Sequence, residues 1–315
     1  MLGRPSAVKN LLAEGVDASL RYGNWRLISA LDAAALMGNL GVVRALLEHG
    51  VDVNSADVEG QTVLHSIAHH PSLVDLLLCA GADIEARTVQ DVTPLHLAAE
   101  LKSGDAATIL LRWGAATDAL DALEALDNAG NSPLHIAVKR GNLATTRALL
   151  AAGADATLLG GDKMMSPLQL AAFHGRVEVI RELAWHGVDL DDAGPYVYCC
   201  TALHVAAYGF NLASNTTGVI DALVEAGASV SSQKIVDGTT PLHHAVEYVS
   251  PEGALALLRH GAPVQPWELD SVEYDCEPPL HTAARQGGTN GAAEVVDLLL
   301  RWGADESELD ADGNT

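Results

Sequence analysis

Histidine is the residue type with the most chemical potential in this chain, with thirteen copies in 315 residues. An imidazole can ligate zinc, titrate near neutral pH or act as a general base. A zinc site needs about four converging ligands, yet no cysteine and histidine pair here has the spacing of a ligand motif. The sequence also lacks a GxxxxGK loop, a GxGxxG segment after a strand, an HExxH pair and a GxSxG elbow. We therefore predict no metal, no cofactor and no catalytic residues.

Six of the histidines stand in a short sequence word that recurs along the chain, which favours a structural role for them. The word is clearest at residues 93–99, which read TPLHLAA. Its leucine recurs at residues 31, 64, 95, 134, 168, 203, 242 and 280. A second word, Leu-Leu followed shortly by glycine, places that glycine at residues 50, 81, 114, 153, 187, 227, 261 and 303. The leucine and the glycine are 19 residues apart in five of the eight copies, so the spacing indicates a structural unit. We expect the histidines of the first word to hydrogen-bond neighbouring turns; they are His65, His96, His135, His204, His243 and His281.

The two words predict two short helices in each unit. Ser or Thr before Pro supplies an N-cap followed by proline at the first helical position. The Leu-His-x-Ala-Ala segment then forms a helix with a small-residue face, and a glycine such as Gly38, Gly104, Gly141 or Gly175 ends it. A second apolar-periodic helix, such as residues 42–47, ends at the glycine of the second word, before a loop rich in turn residues. One such unit cannot bury its apolar side alone, whereas stacked neighbours can.

This pattern resembles the ankyrin repeat, whose signature is a period of 33 residues with T-P-L-H-x-A. Residues 93–98 match that signature letter for letter. The resemblance covers essentially the whole chain and implies an all-α fold, an ankyrin-repeat solenoid of helix-turn-helix units joined by β-hairpin-like loops. It predicts a single domain over residues 1–315 with eight full repeats, at 22–54, 57–86, 88–119, 127–157, 162–191, 197–231, 236–264 and 274–307. Residues 6–18 look like a degenerate N-terminal half repeat and residues 309–315 like the start of a truncated ninth, so we expect a longer natural protein.

Several repeats depart from the common spacing. Repeat 2 has 17 residues between its two words instead of 19, which predicts a shortened first helix or turn at residues 69–71. Repeats 6 and 8 are longer, with extended turns predicted around residues 210–217 and 287–291. The hairpin loops at 117–126 and 263–276 are also long. Such insertions either carry recognition or drift neutrally, and both interpretations stay open.

The ankyrin resemblance also implies where a partner binds. Family members usually bind proteins or peptides on the concave face, which is made of the loop tips and the exposed part of the first helices. The positions varied in designed members map to 48 residues of this chain, and these include eight of its thirteen aromatic residues. Because aromatic residues dominate binding hot spots, we predict a protein-interaction scaffold whose strongest contacts lie in repeats 5–7. The predicted partner-binding residues are Trp25, His70, Leu101, Arg140, Phe173, His174, Tyr198, Tyr208, Tyr248, Tyr274 and Arg285.

Other residues on the predicted face have competing interpretations. Trp113 and Trp302 each stand in an Arg-Trp-Gly context at a helix end, which favours capping of the core over binding. Asn54 lies in a segment similar to the loop in which ankyrin repeats undergo asparagine hydroxylation, so it is a candidate modification site, with an ordinary turn role as the alternative. Six histidines on the face are expected to be polar surface rather than metal ligands or pH sensors; they are His49, His69, His70, His174, His186 and His260.

The charge of the chain bounds its partners. It has 41 Asp and Glu against 18 Lys and Arg, a net charge of −23. This excess disfavours nucleic acid and anionic membrane as partners. It does not by itself indicate a basic partner, because the 48 mapped positions are no more acidic than the rest and many acids belong to the recurring Gly-x-Asp turns.

Targeting and membrane segments bear on where the protein resides. No signal peptide and no apolar run approaching 18 residues is visible. We therefore expect an intracellular monomer, cytoplasmic or nuclear, without membrane insertion. The alternative to a free-standing scaffold is a regulatory or targeting ankyrin arm of a larger enzyme, channel or ubiquitin-ligase component.

Overall fold

The computed structural model describes most of the chain, and all regular secondary structure in that part is helical. The described residues are 5–21, 28–67, 70–102, 104–117, 123–161, 163–194, 200–208, 215–234, 237–265, 277–286 and 291–307. They contain seventeen helices, and none of these is both long enough and apolar enough to span a membrane. The contacts cluster into two compact units, Met1–Asp155 with Gly160–Asp162, and Ala156–Leu159 with Lys163–Thr315.

Unit 1 contains helices α1 to α9. Their bounds are α1 Pro5–Ala13, α2 Ala30–Leu36, α3 Leu40–Glu48, α4 Val63–Ser66, α5 Pro71–Cys79, α6 Pro94–Glu100, α7 Asp105–Thr117, α8 Pro133–Arg140 and α9 Leu143–Ala151. The first helices α2, α4, α6 and α8 pack in sequence, and so do the second helices α3, α5, α7 and α9. Helix α1 lies in the predicted N-terminal half repeat and packs against α3 as a preceding second helix would.

Unit 2 repeats the same arrangement with helices α10 to α17. Their bounds are α10 Pro167–Phe173, α11 Val177–Trp185, α12 Ala202–Ala207, α13 Thr216–Ala226, α14 Pro241–Glu247, α15 Pro251–Arg259, α16 Pro279–Arg285 and α17 Ala292–Arg301. First helices α10, α12, α14 and α16 pack on one another, as do second helices α11, α13, α15 and α17. Each unit therefore has two helical layers, as the two sequence words predict.

In repeats 2, 3, 6 and 7 the histidine of the repeat word links one repeat to the next, which confirms its structural role there. In repeat 3 the backbone N–H of Thr93 donates to His96 Nδ1 at 3.1 Å, and His96 Nε2 lies 3.0 Å from the carbonyl oxygen of Asn131 in the next repeat. These two contacts suit a neutral imidazole that carries its proton on Nε2. The same interrepeat bond joins His65 to Val92, and in unit 2 His204 to Thr239. Burial lowers the pKa of His96 accordingly.

The shared leucine and the small residues that follow it form the core. Leu95 and Leu242 are buried, and Ala98 and Ala99 are covered completely enough for neighbouring first helices to approach closely. Leu280, in the last described repeat, is only half-buried. Core packing is therefore less complete in repeat 8 than in repeats 3 and 7.

Repeat 3 departs from the sequence prediction at both ends of its second helix. Gly104 does not end α6, which stops at Glu100; it precedes α7, at φ +69°, and its carbonyl accepts the N–H of Thr108. A Cβ at Gly104 would lie only 3.0 Å from the side chain of Ala144, so close packing also requires glycine there. The prediction that the second helix ends at Gly114 is wrong, because α7 continues to Thr117. The segment reads Gly-Ala-Ala, the one copy with alanine at both positions after the glycine, and alanine favours helix.

The other irregular repeats agree with the spacing where they are described. The first helix of repeat 2, α4, has only 4 residues. The extended turn of repeat 6 precedes α13, but residues 209–214 lie outside the described part, as do 287–290 of repeat 8. Most of the two long loops, 118–122 and 266–276, and the predicted ninth repeat at 309–315 also lie outside it.

Candidate partner-binding site

Hydrogen-bonded turns hold the loop tips of unit 1 in place. In repeat 2 the N–H of Asp57 donates to the carbonyl of Gln61 at 2.9 Å. Adjacent tips are bonded to each other, since the N–H of Val89 donates to the carbonyl of Glu59 at 2.9 Å. The side chains of Val58 and Val89 are 68% and 67% exposed at these tips. The hairpin-like loops therefore present apolar side chains from a fixed backbone.

Next to the tips lie the ends of the first helices, where two residues of each repeat are available to a partner. We call the fifth and sixth residues after the shared leucine the helix-end pair. In unit 1 the helix-end pair of repeat 3 contains Glu100 and the half-buried Leu101. Arg140, from the helix-end pair of repeat 4, donates to Glu100 at 2.9 Å across the repeats. The predicted site residues Leu101 and Arg140 therefore lie on neighbouring repeats of one face.

The side chain of His70 makes more contacts within its own chain than the sequence suggests. It is half-buried before α5, with its Nε2 3.4 Å from the carbonyl oxygen of Leu36. A Cβ at Gly38 would lie 3.0 Å from its ring, so the imidazole packs on the turn of repeat 1. His70 therefore fills the gap that the short helix α4 leaves.

In unit 2 the helix-end pair of repeat 5 consists of Phe173 and His174, both half-buried. Their rings meet edge to face, with centroids 5.1 Å apart. The ammonium nitrogen of Lys163 lies 4.1 Å from the centre of the Phe173 ring, which is within cation–π range. This aromatic ring thus already holds a cation from its own chain.

Repeats 6 and 7 bring together the densest aromatic cluster in the described part of the chain. The rings of Tyr208 and Tyr248, from the two helix-end pairs, have centroids 3.9 Å apart at an angle of 60°. Tyr248 is 40% exposed. The ring of His244 meets Tyr248 at 5.9 Å and His204 at 5.1 Å, both edge to face. The exposed Tyr248 therefore contacts both the half-buried Tyr208 and the buried imidazole of His244.

These imidazoles are neutral at neutral pH. Burial lowers the pKa of His204 to about 4, and burial together with the neighbouring His204 lowers the pKa of His244 to about 3. Burial also lowers the pKa of His243 to about 4. Charging any of them would place a cation in the core, which costs free energy.

The remaining predicted residues divide between the described part of the chain and the rest of it. Arg285, at the helix end of repeat 8, forms an ion pair with Glu277 at 2.6 Å. Trp25, Tyr198 and Tyr274 lie outside the described residues.

The tryptophans give mixed outcomes. The indole of Trp113 is half-buried and donates to Asp75 of α5 at 2.9 Å, which supports the capping interpretation. Trp302 is 43% exposed at the end of α17, and its capping role stays a prediction. Trp185, which the mapping of the face did not include, is 80% exposed at the end of α11.

Asn54 uses its side-chain amide to join two loops. Its Nδ2 donates to the carbonyl of Gly81 at 3.0 Å, and its Oδ1 accepts the N–H of Asp83 at 2.8 Å. The residue is exposed, yet both ends of its amide are occupied. This geometry accounts for the asparagine by the ordinary turn role, and hydroxylation stays a prediction.

Two of the described histidines on the predicted face lie close to carboxylates. His260 contacts Asp221 at 2.8 Å and His186 lies 3.5 Å from Glu182. No group of three or more His, Cys, Asp or Glu residues suitable for a metal ion occurs in the part of the chain that the structure describes.

Family models assign the chain independently of this geometry. Models described as ankyrin repeats in three copies match residues 1–88, 67–160 and 210–311, and a single ankyrin repeat model matches 164–194. The chain belongs to the ankyrin repeat family. Ankyrin repeats are protein-interaction modules that bind protein partners and are typically non-catalytic.

Solved ankyrin repeat domains share the fold. The human ASB11 ankyrin repeat domain has a TM-score of 0.60 and 27% identity, covering 75% of this chain and 99% of that one. The ankyrin repeat domain of Bcl-3, a member of the IkappaB protein family, has a TM-score of 0.62 and 30% identity, covering 74% of this chain and 98% of its own.

Curated relatives are longer proteins that contain ankyrin repeats. The Gallus gallus nuclear factor NF-kappa-B p105 subunit is 30% identical over 288 residues, which cover 89% of this chain and 24% of the relative. A Caenorhabditis elegans transient receptor potential channel homologue, subfamily A member 1, is 32% identical over 158 residues, which cover 50% of this chain and 12% of the channel. This ankyrin repeat chain thus spans a quarter or less of the length of these relatives.

Proposed function

We propose that this ankyrin repeat chain is a non-catalytic scaffold that binds a protein or peptide on its first-helix ends and loop tips, with the strongest contacts in repeats 5–7. The contact between Tyr208 and Tyr248 carries the proposal. Aromatic residues make up only 4% of the chain, yet two of them pair at a surface that the backbone presents. Large, stiff rings of this kind supply much contact area at little conformational cost, as binding hot spots require.

The backbone around the pair favours binding because it is already ordered. Capped helices and interrepeat histidine bonds fix the first helices, so a partner meets a preorganised surface and association loses less entropy. The other described residues of the predicted site are proposed as contacts around the pair: His70, Leu101, Arg140, Phe173, His174 and Arg285.

A second candidate is that the chain acts as the ankyrin arm of a larger protein, for example of a channel, an enzyme or a ubiquitin-ligase component. The observation that favours it is the small share of each relative that the chain spans. Both candidates use the same surface. We place the chain inside the cell as a monomer, in line with a relative that is named a nuclear factor.

A selection of binding peptides from a random displayed library, followed by affinity measurements on the purified chain, tests the proposal. We expect the combined variant Phe173→Ala, Tyr208→Ala, Tyr248→Ala to lose binding to the selected peptides. Loss of two or three hot-spot rings corresponds to at least about a 100-fold decrease in affinity. Helical circular dichroism should be unchanged, because these rings lie at helix ends.

Trp185→Ala is the matched control, since it removes an even more exposed aromatic side chain that lies on a second helix. It should leave binding unchanged. If the triple variant binds as well as the wild type, the proposed face is wrong; if Trp185→Ala abolishes binding instead, the second-helix surface is the binding site.

A further inference from the structure

Two helix-end pairs in this chain already hold cations, each by a different chemistry. In unit 1 the carboxylate of Glu100 holds the guanidinium of Arg140 at 2.9 Å. In unit 2 the ring of Phe173 holds the ammonium of Lys163 at 4.1 Å. The helix-end position therefore binds a positive charge whether a carboxylate or an aromatic ring occupies it.

Repeat 7 places both chemistries side by side in its helix-end pair. Glu247 occupies the same position as Glu100, and Tyr248 follows it directly. The next repeat offers Arg285 at its own helix end, but that guanidinium pairs with Glu277 at 2.6 Å. Glu247 is exposed and has no ion pair or hydrogen-bond partner for its side chain among the described residues.

Cations are few in unit 2. Only seven Lys and Arg residues follow residue 162, and all seven are in the described part of the chain. Over the same stretch there are 22 Asp and Glu residues, a net charge of −15. A cationic partner would therefore meet a complementary field here.

A buried imidazole beneath the tyrosines is a second, independent sign of a binding site. His244 is only 7% exposed, and its Nδ1 has no hydrogen-bond partner in the described structure. The matching positions of repeats 3, 5 and 6 hold Leu97, Leu170 and Val205, so the core of a first helix does not require a polar group there. A buried polar atom left unsatisfied costs free energy and calls for an explanation in function.

The contact between His244 and Tyr248 explains why a histidine occupies this position. The His244 ring meets the Tyr248 ring edge to face at 5.9 Å, so it supports the tyrosine from below. Because burial keeps this imidazole neutral, it adds no positive charge that would repel a cation above it.

We propose that Glu247, Tyr208 and Tyr248 form a recognition site for an arginine side chain of an extended peptide. The guanidinium would stack on the tyrosine ring and pair with the carboxylate at the same time. Its planar shape permits both contacts together, which a lysine ammonium does less well. This inference rests on the proposed function, because it names the partner chemistry of the same surface.

The test starts from the peptides that the wild-type chain selects from a random library. We expect these peptides to be enriched in arginine relative to the input. A fluorescent selected peptide is then compared with its citrulline counterpart, in which a neutral urea of the same shape replaces the guanidinium. We expect the citrulline peptide to bind about tenfold more weakly, since both the ion pair and most of the stacking with a cation are lost.

The variant Glu247→Gln should reduce the affinity for the arginine peptide about tenfold and leave the affinity for the citrulline peptide unchanged. Glu252→Gln on α15 is the matched control, because it removes one exposed acidic charge of unit 2 from a second helix instead of a helix-end pair. It should bind both peptides as the wild type does.

The outcomes separate the two proposals. Selected peptides without arginine enrichment, equal binding of the arginine and citrulline peptides, or equal effects of the two glutamate variants would overturn the arginine site and leave the scaffold function standing. A wild-type chain that selects no peptide at all would overturn both.

Discussion

The helix-end pairs of unit 1 and unit 2 use the same backbone position in different ways. In unit 1 Glu100 and Arg140 satisfy each other, so the position is closed by an internal ion pair. In unit 2 the rings of Tyr208 and Tyr248 contact each other at an angle of 60°, and the exposed Glu247 beside them has no ion pair among the described residues. The same helix-end positions are thus joined by an ion pair in repeats 3 and 4, whereas repeats 6 and 7 carry the tyrosines for which we propose a partner.

The comparison also separates what the fold needs from what binding needs. The shared leucines and the histidines of the repeat word occupy equivalent places in both units, because every repeat must bury the same face against its neighbour. The helix-end residues are not under that constraint. We therefore propose that the differences between the units at these positions reflect partner binding.

The largest change in the free energy of unfolding should come from substitutions of the core leucines that both units share. Leu95→Ala and Leu242→Ala each remove a buried core side chain, and each should lower the free energy of unfolding by about 2–5 kcal/mol. Urea denaturation checks this. Leu280→Ala, at a half-buried equivalent, should cost less; an equal loss there would contradict the view that the C-terminal repeat is packed less completely.

Lowering the pH should destabilise unit 2 more than unit 1. The imidazoles of an unfolded chain take up protons near pH 6.5, whereas His204 and His243 take them up only at about pH 4. The unfolded state therefore binds more protons between these values, and the free energy of unfolding falls as the pH is lowered through this window. The loss is of the order of 1 kcal/mol per pH unit for each such histidine. Above about pH 6.5 these histidines are neutral in both states and cause no loss of stability.

Hydrogen exchange at pH 7 and pH 5 measures where this loss occurs. Helices α12 and α14 should lose more protection than α6 and α8. A uniform loss over both units would contradict the assignment of the strongest pKa shifts to repeats 6 and 7.

His244→Leu should raise the free energy of unfolding, by less than the leucine substitutions lower it. It places in repeat 7 the residue type that repeats 3 and 5 carry at the same position, and it removes a buried nitrogen without a partner. We expect the free energy of unfolding at pH 7 to rise by about 1 kcal/mol, with a further gain at pH 5. A destabilised variant at pH 7 would show that the imidazole makes a net favourable contact, against our account of it.

The smallest effect should come from the exposed ion pair of unit 1. Arg140→Gln leaves Glu100 in water, so the free energy of unfolding should change by less than about 1 kcal/mol. Thermal denaturation at low and high salt checks this. A large, salt-insensitive loss would mean that the pair is part of the core of unit 1.

The repeat fold could be predicted from the sequence because its causes are local and recur. A Ser or Thr cap, a proline and a buried leucine at constant spacing specify each helix pair, and the repeat histidine bonds in the way that its position predicts. The exceptions arise where the residues of the repeat change, as at Gly114, where alanine fills both following positions and α7 continues to Thr117.

The contacts of the site could be predicted less well. Sequence mapping places Tyr208 and Tyr248 on one face. Tyr208 is the fifth residue after its leucine and Tyr248 is the sixth, so the contact between their rings depends on how neighbouring helices pack. The choice of Arg285 between Glu247 and Glu277 depends on side-chain rotamers. The only local signal for His244 was the second histidine in the word PLHHAV, which the repeat pattern does not require.

The central claim is that unit 2 rather than unit 1 supplies the main contacts to a partner. The most direct test measures the affinity of one selected peptide for two double variants, Tyr208→Ala with Tyr248→Ala, and Leu101→Ala with Arg140→Ala. Our account predicts a loss of at least about 30-fold for the tyrosine variant and an affinity close to that of the wild type for the unit 1 variant. The reverse result, with binding kept without the tyrosines and lost without Leu101 and Arg140, would contradict it.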